Sequence, residues 1–218
     1  DIDARDPGIT FDLLTTWVSE AFSRQPDPAV QRHGWGALVL ALRHAARQRA
    51  EDARVAAELG VEDQGDAISL GSEVEALTER DLRTRLVSLY SQQSTETVRS
   101  ILQAKLCDEL SFFRGMGMPS VEHALCKWDW YLLCLTFEAD EFAEARQQEQ
   151  EPRLVQMPLD TVDLRAVSTL FGVQITVTRF VEEALRFRPA GVAHAASSCH
   201  LVLHRGLWTA LGDVRAPE

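Results

Sequence analysis

Histidine and cysteine side chains near the end of the chain are the first candidates for chemistry, because imidazole and thiolate are common ligands of zinc. Four of them lie close together in the sequence: His194, Cys199, His200 and His204. Their spacing is not that of a zinc finger. Neighbouring positions of a strand point to opposite faces, so Cys199 and His200 are poorly placed to share one ion. We therefore predict no metal site.

A second candidate is a nucleophile beside a base. His123 and Cys126 are three residues apart, a spacing that brings two side chains to one face of a helix. A thiol next to an imidazole is the starting arrangement of a cysteine hydrolase. The apolar pattern around Leu125 and Trp128 favours a core cysteine and a boundary histidine instead.

Recognisable catalytic and cofactor motifs are absent from the sequence. There is no GxSxG, Walker loop, GxGxxG or HExxH, so we predict no cofactor. No carboxylate stands among apolar neighbours in a way that predicts a raised pKa. The run Trp128-Asp129-Trp130-Tyr131 points in different directions on a helix, so most of its aromatic area is predicted to be core.

Charge and composition exclude several classes of partner. The 218 residues include 33 acidic and 22 basic side chains, a net charge of −11. Such a chain lacks the positive surface that nucleic acids and anionic membranes need, and no apolar run approaches the roughly 20 residues of a membrane span. Four cysteines without a CxxC pair predict a reducing compartment, the cytoplasm or the nucleus. The scarcity of lysine, Lys105 and Lys127 only, receives no functional weight.

Helices dominate the first two thirds of the predicted structure. Periodic apolar residues predict helices over 10–22, 35–59, 72–90, 94–115 and 119–142, with a connector at 23–29 and a loop at 60–71. The spacing of Ser72 and Glu75 is typical of a capping box at the start of the third helix.

The last third changes from helical to alternating patterns. A short strand is predicted near 153–157, followed by a helix with Asp160 as its cap and Gly172 just past its end. Val173–Phe180 alternates apolar and polar residues, which predicts a strand. Two more strands, 200–203 and 207–211, are predicted around a turn. The fold class is therefore α+β.

Three stretches of the chain resemble segments of the OTU-type cysteine deubiquitinases, most closely the linear-ubiquitin-specific OTULIN branch. Arg32–Leu38, with Trp35 in the aromatic place, is similar to the family's Gly-Asp-Asn-Tyr-Cys-Ala-Leu loop before a helix. Cys107–Leu110 is similar to that branch's Cys-Asp-Glu-Leu segment. The closing helix, strand and hairpin resemble the segment that carries the family's His-Tyr-Asn-Ile.

The resemblance covers residues 30–212 and implies a helix-rich, papain-like OTU domain with a small C-terminal sheet. An N-terminal helix and connector, 1–29, would precede this domain, and a tail, 213–218, would follow it.

The catalytic residues of that family do not carry over to this chain. The family uses a cysteine at a helix start, a histidine that transfers the proton, and a residue that orients the imidazole. The matching positions read Gly36, Leu207 and Thr209. A slipped hairpin register could offer His204 as a base, yet it would have no nucleophile to serve. The resemblance therefore implies a pseudoenzyme.

The predicted function is a pseudodeubiquitinase domain that acts as a protein–protein interaction or scaffolding module. Its partners would be proteins, with weak or absent ubiquitin binding. Four residues are predicted to surround the binding surface: Trp35, Trp208, His33 and His204. Two alternatives stand beside this prediction. One is an unrelated α+β scaffold without a link to ubiquitin, and the other is a cysteine hydrolase that uses Cys126 and His123.

Overall fold

A computed structural model describes six stretches of the chain: residues 34–59, 72–136, 157–179, 184–189, 197–204 and 207–211. In these stretches the chain forms eight helices and one four-stranded sheet, which confirms the α+β class. The segments predicted at 1–29, 60–71 and 213–218 lie outside the described residues, as does most of the strand predicted at 153–157. None of the described helices combines the length and apolar character that crossing a bilayer would require.

The chain folds as two compact units, named here the sheet unit and the helical unit. The sheet unit combines residues 1–76 with residues 171–218, and the helical unit is formed by residues 77–170. The described elements of the sheet unit are α1 (Trp35–Glu58), α2 (Ser72–Glu75), β1 (Gln174–Arg179), β2 (Leu185–Phe187), β3 (Ser198–His204) and β4 (Leu207–Leu211). Those of the helical unit are α3 (Glu79–Ser91), α4 (Thr95–Cys107), α5 (Phe112–Gly115), α6 (Val121–Leu125), α7 (Trp128–Thr136) and α8 (Thr161–Phe171), the last as far as Leu170.

The sheet has the strand order β2-β1-β3-β4. β1 runs parallel to β3, whereas the β1–β2 and β3–β4 pairs are antiparallel. The predicted strand at 173–180 and the predicted hairpin are therefore confirmed as β1, β3 and β4. β2 was not predicted, because three residues are too short to show an alternating pattern.

Helix α1 packs on β3 and β4. Its N-cap, Gly34, has a φ of 81°, a left-handed conformation that glycine adopts without a steric penalty. Most side chains from Trp35 to Ala46 are buried, whereas most of those from Arg47 to Glu58 are exposed. The helix therefore enters the core with its first half, and the charged second half faces water as its composition predicts.

Three of the predicted helices are divided: the one predicted at 72–90 forms α2 and α3, and the two that follow it are also broken. The helix predicted at 94–115 ends at Cys107 because Asp108 takes an extended backbone, with ψ at 123°. The helix predicted at 119–142 is broken at 126–127 into α6 and α7. The capping box lies at Thr78, not at Ser72. Thr78 Oγ1 accepts from the Asp81 amide at 3.1 Å, and Asp81 Oδ2 accepts from the Thr78 amide at 2.9 Å.

Candidate functional site

The three positions that the resemblance assigns to a catalytic centre all lie in the sheet unit. Gly36 is the second residue of α1 and is buried. Leu207 and Thr209 lie on β4 and are half-buried. Since α1 packs on β4, the three positions are carried by two elements in direct contact.

The two tryptophans predicted to contact a partner are buried. Trp35 is 1% exposed and Trp208 is 3% exposed. Both indoles therefore belong to the core, and neither presents the surface that a direct contact requires. This corrects the prediction for these two side chains. His33 and the side chain of His204 lie outside the described residues, although the His204 backbone pairs with Leu207.

Cys199 is unsuited to nucleophilic chemistry. It lies in β3 and is 3% exposed, and burial raises the pKa of its thiol to about 12. The thiol therefore holds its proton near neutral pH, whereas attack requires the thiolate. Among the described residues, no group of three His, Cys, Asp or Glu side chains is arranged to hold a metal ion. His194 lies outside those residues.

The predicted pair of His123 and Cys126 lies at the surface of the helical unit. α6 ends at Leu125, and Cys126 is its C-cap. Both side chains are exposed, so the expectation of a core cysteine is wrong. The Nδ1 atom of His123 lies 3.0 Å from the Oγ atom of Ser120, the N-cap of α6.

The helical unit contains a buried charged cluster that sequence reasoning missed. The lysine cluster, as we name it, consists of Lys105, Asp160, Asp163, Tyr90 and Tyr131. Lys105 Nζ donates to Asp160 Oδ2 at 2.7 Å, to Asp163 Oδ1 at 2.8 Å and to Tyr131 Oη at 2.9 Å. An ammonium group has three donors, so each of them has an acceptor.

The two tyrosines complete the lysine cluster around Asp163. Tyr90 Oη donates to Asp163 Oδ1 at 2.6 Å, and Tyr131 Oη lies 3.3 Å from Asp163 Oδ2. The side chains of Lys105 and Asp163 are fully buried, and that of Asp160 is 2% exposed. These buried hydrogen bonds therefore connect side chains from four helices: α3, α4, α7 and α8.

Two aspartates accept hydrogen bonds from the backbone amides at the start of α8. Asp160 Oδ1 accepts from the amides of Val162 and Asp163, each at 3.0 Å, which confirms Asp160 as the predicted cap. Asp108 Oδ2 accepts from both the amide and the hydroxyl of Thr161 at 2.6 Å. Three amides of the first turn, which have no partner inside a helix, are satisfied in this way.

The protonation of the lysine cluster follows from burial and charge. Burial alone would lower the pKa of Lys105, but Asp160 and Asp163 raise it above its ordinary value. Burial, together with the charge of Asp163, raises the pKa of Asp160 to about 7, while Lys105 acts in the opposite direction. A lysine that stays protonated and sealed from water cannot attack a substrate. The lysine cluster is therefore a positioning element of the fold, although perturbed pKa values often mark active sites.

One sequence signal for the lysine cluster was available. Val98, Leu102 and Lys105 follow the i, i+4, i+7 spacing of a buried helical face, and all three are buried. A lysine on such a face requires a buried anion. The prediction that no carboxylate has a raised pKa is therefore wrong, since Asp160 lies in the core.

We expect Asp108→Ala to lower the free energy of unfolding by about 1.5–3 kcal/mol, because it removes charge-assisted hydrogen bonds to the start of α8. Urea unfolding followed by circular dichroism measures the change. The matched control is Glu109→Ala, since Glu109 is exposed, and it should change the stability by less than about 0.5 kcal/mol. If the two variants were equally stable, the hydrogen bonds of Asp108 would make no contribution to the free energy of unfolding.

The resemblance alone assigns positions on α1 and β4 to catalysis, whereas the lysine cluster connects helices inside the helical unit. Comparison of the sequence and structure with protein-family models, curated proteins and solved structures found no match.

Proposed function

We propose that the chain contains a catalytically inactive OTU-like deubiquitinase domain that functions by binding other proteins. The observation that carries the proposal is the start of α1. Gly36 lies in the buried first turn of this helix, which packs on the strand that begins at Leu207. A cysteine at a helix start beside a histidine on a neighbouring strand is the arrangement that the resemblance implies.

The residues at these positions explain the loss of chemistry. A helix N-terminus stabilises a thiolate through its partial positive charge, but Gly36 has no side chain to benefit from it. Leu207 has no atom that accepts a proton, so neither general base nor general acid is present at that position. The hydroxyl of Thr209 then has no imidazole to orient.

Loss of the catalytic groups does not remove a binding surface. Affinity for a protein comes from a broad area of contact, whereas bond cleavage depends on a few polar groups. The net charge of −11 favours partners with basic surfaces and accelerates their association. An interaction or scaffolding role therefore follows, with ubiquitin itself bound weakly or not at all.

The first test is incubation with linear diubiquitin and with the other linkages, alongside a ubiquitin probe that carries a C-terminal electrophile. We expect no cleavage above the control without protein, and no covalent adduct, because the nucleophile position is a glycine. Gel analysis and mass spectrometry of the intact protein provide the measurements.

Two variants test whether positions 36 and 207 are those of the lost nucleophile and base. Gly36→Cys, with folding checked by circular dichroism, should stay inactive, because an unassisted thiol lacks its proton shuttle. Gly36→Cys combined with Leu207→His is the variant that restores both groups, and cleavage by it alone would support the placement. Cleavage by the parent protein would overturn the proposal. An adduct mapped to Cys126 would favour the cysteine hydrolase instead.

A further inference from the structure

A cleft in the helical unit lies outside every position discussed for catalysis. It has a volume of about 250 Å³ and is bordered by α3, α4, α6 and α7. Apolar side chains form a large part of its wall: Val98, Leu125, Trp128 and Leu132. Such a wall suits the aliphatic part of a ligand.

The polar side chains around the cleft include several hydrogen-bond acceptors. Ser91 Oγ already donates its only proton to the carbonyl of Val87 at 2.7 Å. Gln93 Nε2 donates to the carbonyl of Leu89 at 2.9 Å, and its amide oxygen keeps both lone pairs. Tyr90, which also lines the cleft, donates its proton inward to Asp163. The oxygens of Ser91 and Gln93 can therefore accept hydrogen bonds from a ligand that carries donors.

Asp129 supplies the charge of the cleft. It is the one charged side chain among the described residues that line the cleft, and it is exposed. Within the described part of the chain it forms no ion pair or hydrogen bond. A carboxylate next to several acceptors repels anions and attracts a cation.

We propose that this cleft binds an arginine side chain presented by a basic segment of a partner protein. A guanidinium group has five N–H donors and no acceptor, which matches the polar groups around Asp129. The volume of the cleft is enough for about eight atoms of the size of a water molecule, and an arginine side chain has roughly that many non-hydrogen atoms. Its methylene groups can cover the wall at Leu125 and Leu132.

The shape of the donor group separates arginine from lysine. An ammonium group is a compact point charge with strong hydration, whereas a guanidinium is planar and more weakly hydrated. The fork of N–H donors on the planar group matches a carboxylate such as Asp129, and Ser91 and Gln93 offer further acceptors in the same cleft. Arginine should therefore bind more tightly than lysine. The site belongs to the helical unit and does not depend on the proposed loss of catalysis in the sheet unit.

The experiment uses three peptide probes and the whole chain labelled with ¹⁵N. The probes are acetyl-Gly-Arg-Gly-amide, the same peptide with lysine, and the same peptide with citrulline, which has the shape of arginine without its charge. Titrations followed by NMR should shift the indole N–H of Trp128 and the amide of Asp129 with the arginine peptide. We expect citrulline to bind about three- to tenfold more weakly, because it loses a charge-assisted hydrogen bond to Asp129.

Two variants separate the cleft from general acidity. Asp129→Asn should weaken binding of the arginine peptide by about three- to tenfold, whereas Glu122→Gln, an exposed carboxylate on α6 that does not line the cleft, should leave it unchanged. Unchanged peptide-free spectra away from position 129 confirm that the variant is folded. The proposal is overturned if the arginine peptide causes no shift at the cleft, if citrulline binds equally well, or if both variants weaken binding alike.

Discussion

Replacing Lys105 by methionine should lower the free energy of unfolding by about 3–5 kcal/mol, one of the two largest effects that we expect in this protein. The variant removes the ammonium group and leaves Asp160 and Asp163 in the core without a cation, both at most 2% exposed. Removing one partner of a buried ion pair costs this much because the remaining charge stays desolvated. Urea unfolding followed by circular dichroism is the measurement.

The chain provides a matched control, because it has one other lysine. Lys127→Met makes the same chemical change at an exposed position between α6 and α7, and should alter stability by less than about 0.5 kcal/mol. If Lys105→Met lowered the free energy of unfolding by less than about 1 kcal/mol, the ion pairs of Lys105 would contribute no more than a surface ion pair. That result would contradict the buried geometry of the lysine cluster.

A double-mutant cycle distinguishes the loss of the ion pair from the loss of packing. Asp163→Asn leaves an amide that still accepts from Tyr90, while it removes one of the two carboxylates. The double variant with Lys105→Met should be less destabilised than the sum of the two single variants, because the Asp163 carboxylate is then no longer left without its cation and only Asp160 is. Simple additivity would mean that Lys105 and Asp163 do not interact.

The sequence patterns predicted an element correctly where the residues that determine it lie close together in the sequence. The start of α8 depends on Asp160 and its end on Gly172, whose φ is 63°. β1 shows alternation over its length, and the β3–β4 hairpin follows from two apolar runs around a turn. Each of these signals involves residues only a few positions apart, so one sequence is sufficient to detect them.

Long-range contacts explain what the sequence patterns missed. Lys105 bonds to carboxylates 55 and 58 residues later in the chain, and no local pattern announces such partners. Asp108 ends α4 because it binds Thr161, 53 residues later in the chain. The apolar stripe continues beyond Asp108, so the local pattern predicted one helix where the structure has two. The burial of Trp35 and Trp208 also depends on how α1 packs on the sheet.

The second large effect is expected at alkaline pH, where the helical unit should lose stability steeply. Burial raises the pKa of Tyr90 and Tyr131 well above 10, and the carboxylates raise that of Lys105 although burial opposes them. In the unfolded chain these groups titrate near pH 10. The folded state therefore retains three protons that the unfolded state loses. Each contributes about 1.4 kcal/mol per pH unit, so the slope should approach about 4 kcal/mol per pH unit above pH 10.5.

The chain has two tyrosines, and both belong to the lysine cluster, so the absorbance of tyrosinate reports on this cluster alone. We expect this absorbance to appear together with the loss of helical circular dichroism, because the hydroxyls cannot ionise while they donate to Asp163 inside the fold. Tyr90→Phe should reduce the slope by about 1.4 kcal/mol per pH unit, since one of the retained protons is then missing. Cys199, whose pKa burial also raises, is the same in both proteins, so the difference between them comes from the helical unit. Tyrosinate forming at its ordinary pH in a protein with intact helices would mean that water reaches these hydroxyls, because ionisation without unfolding requires a solvated phenolate.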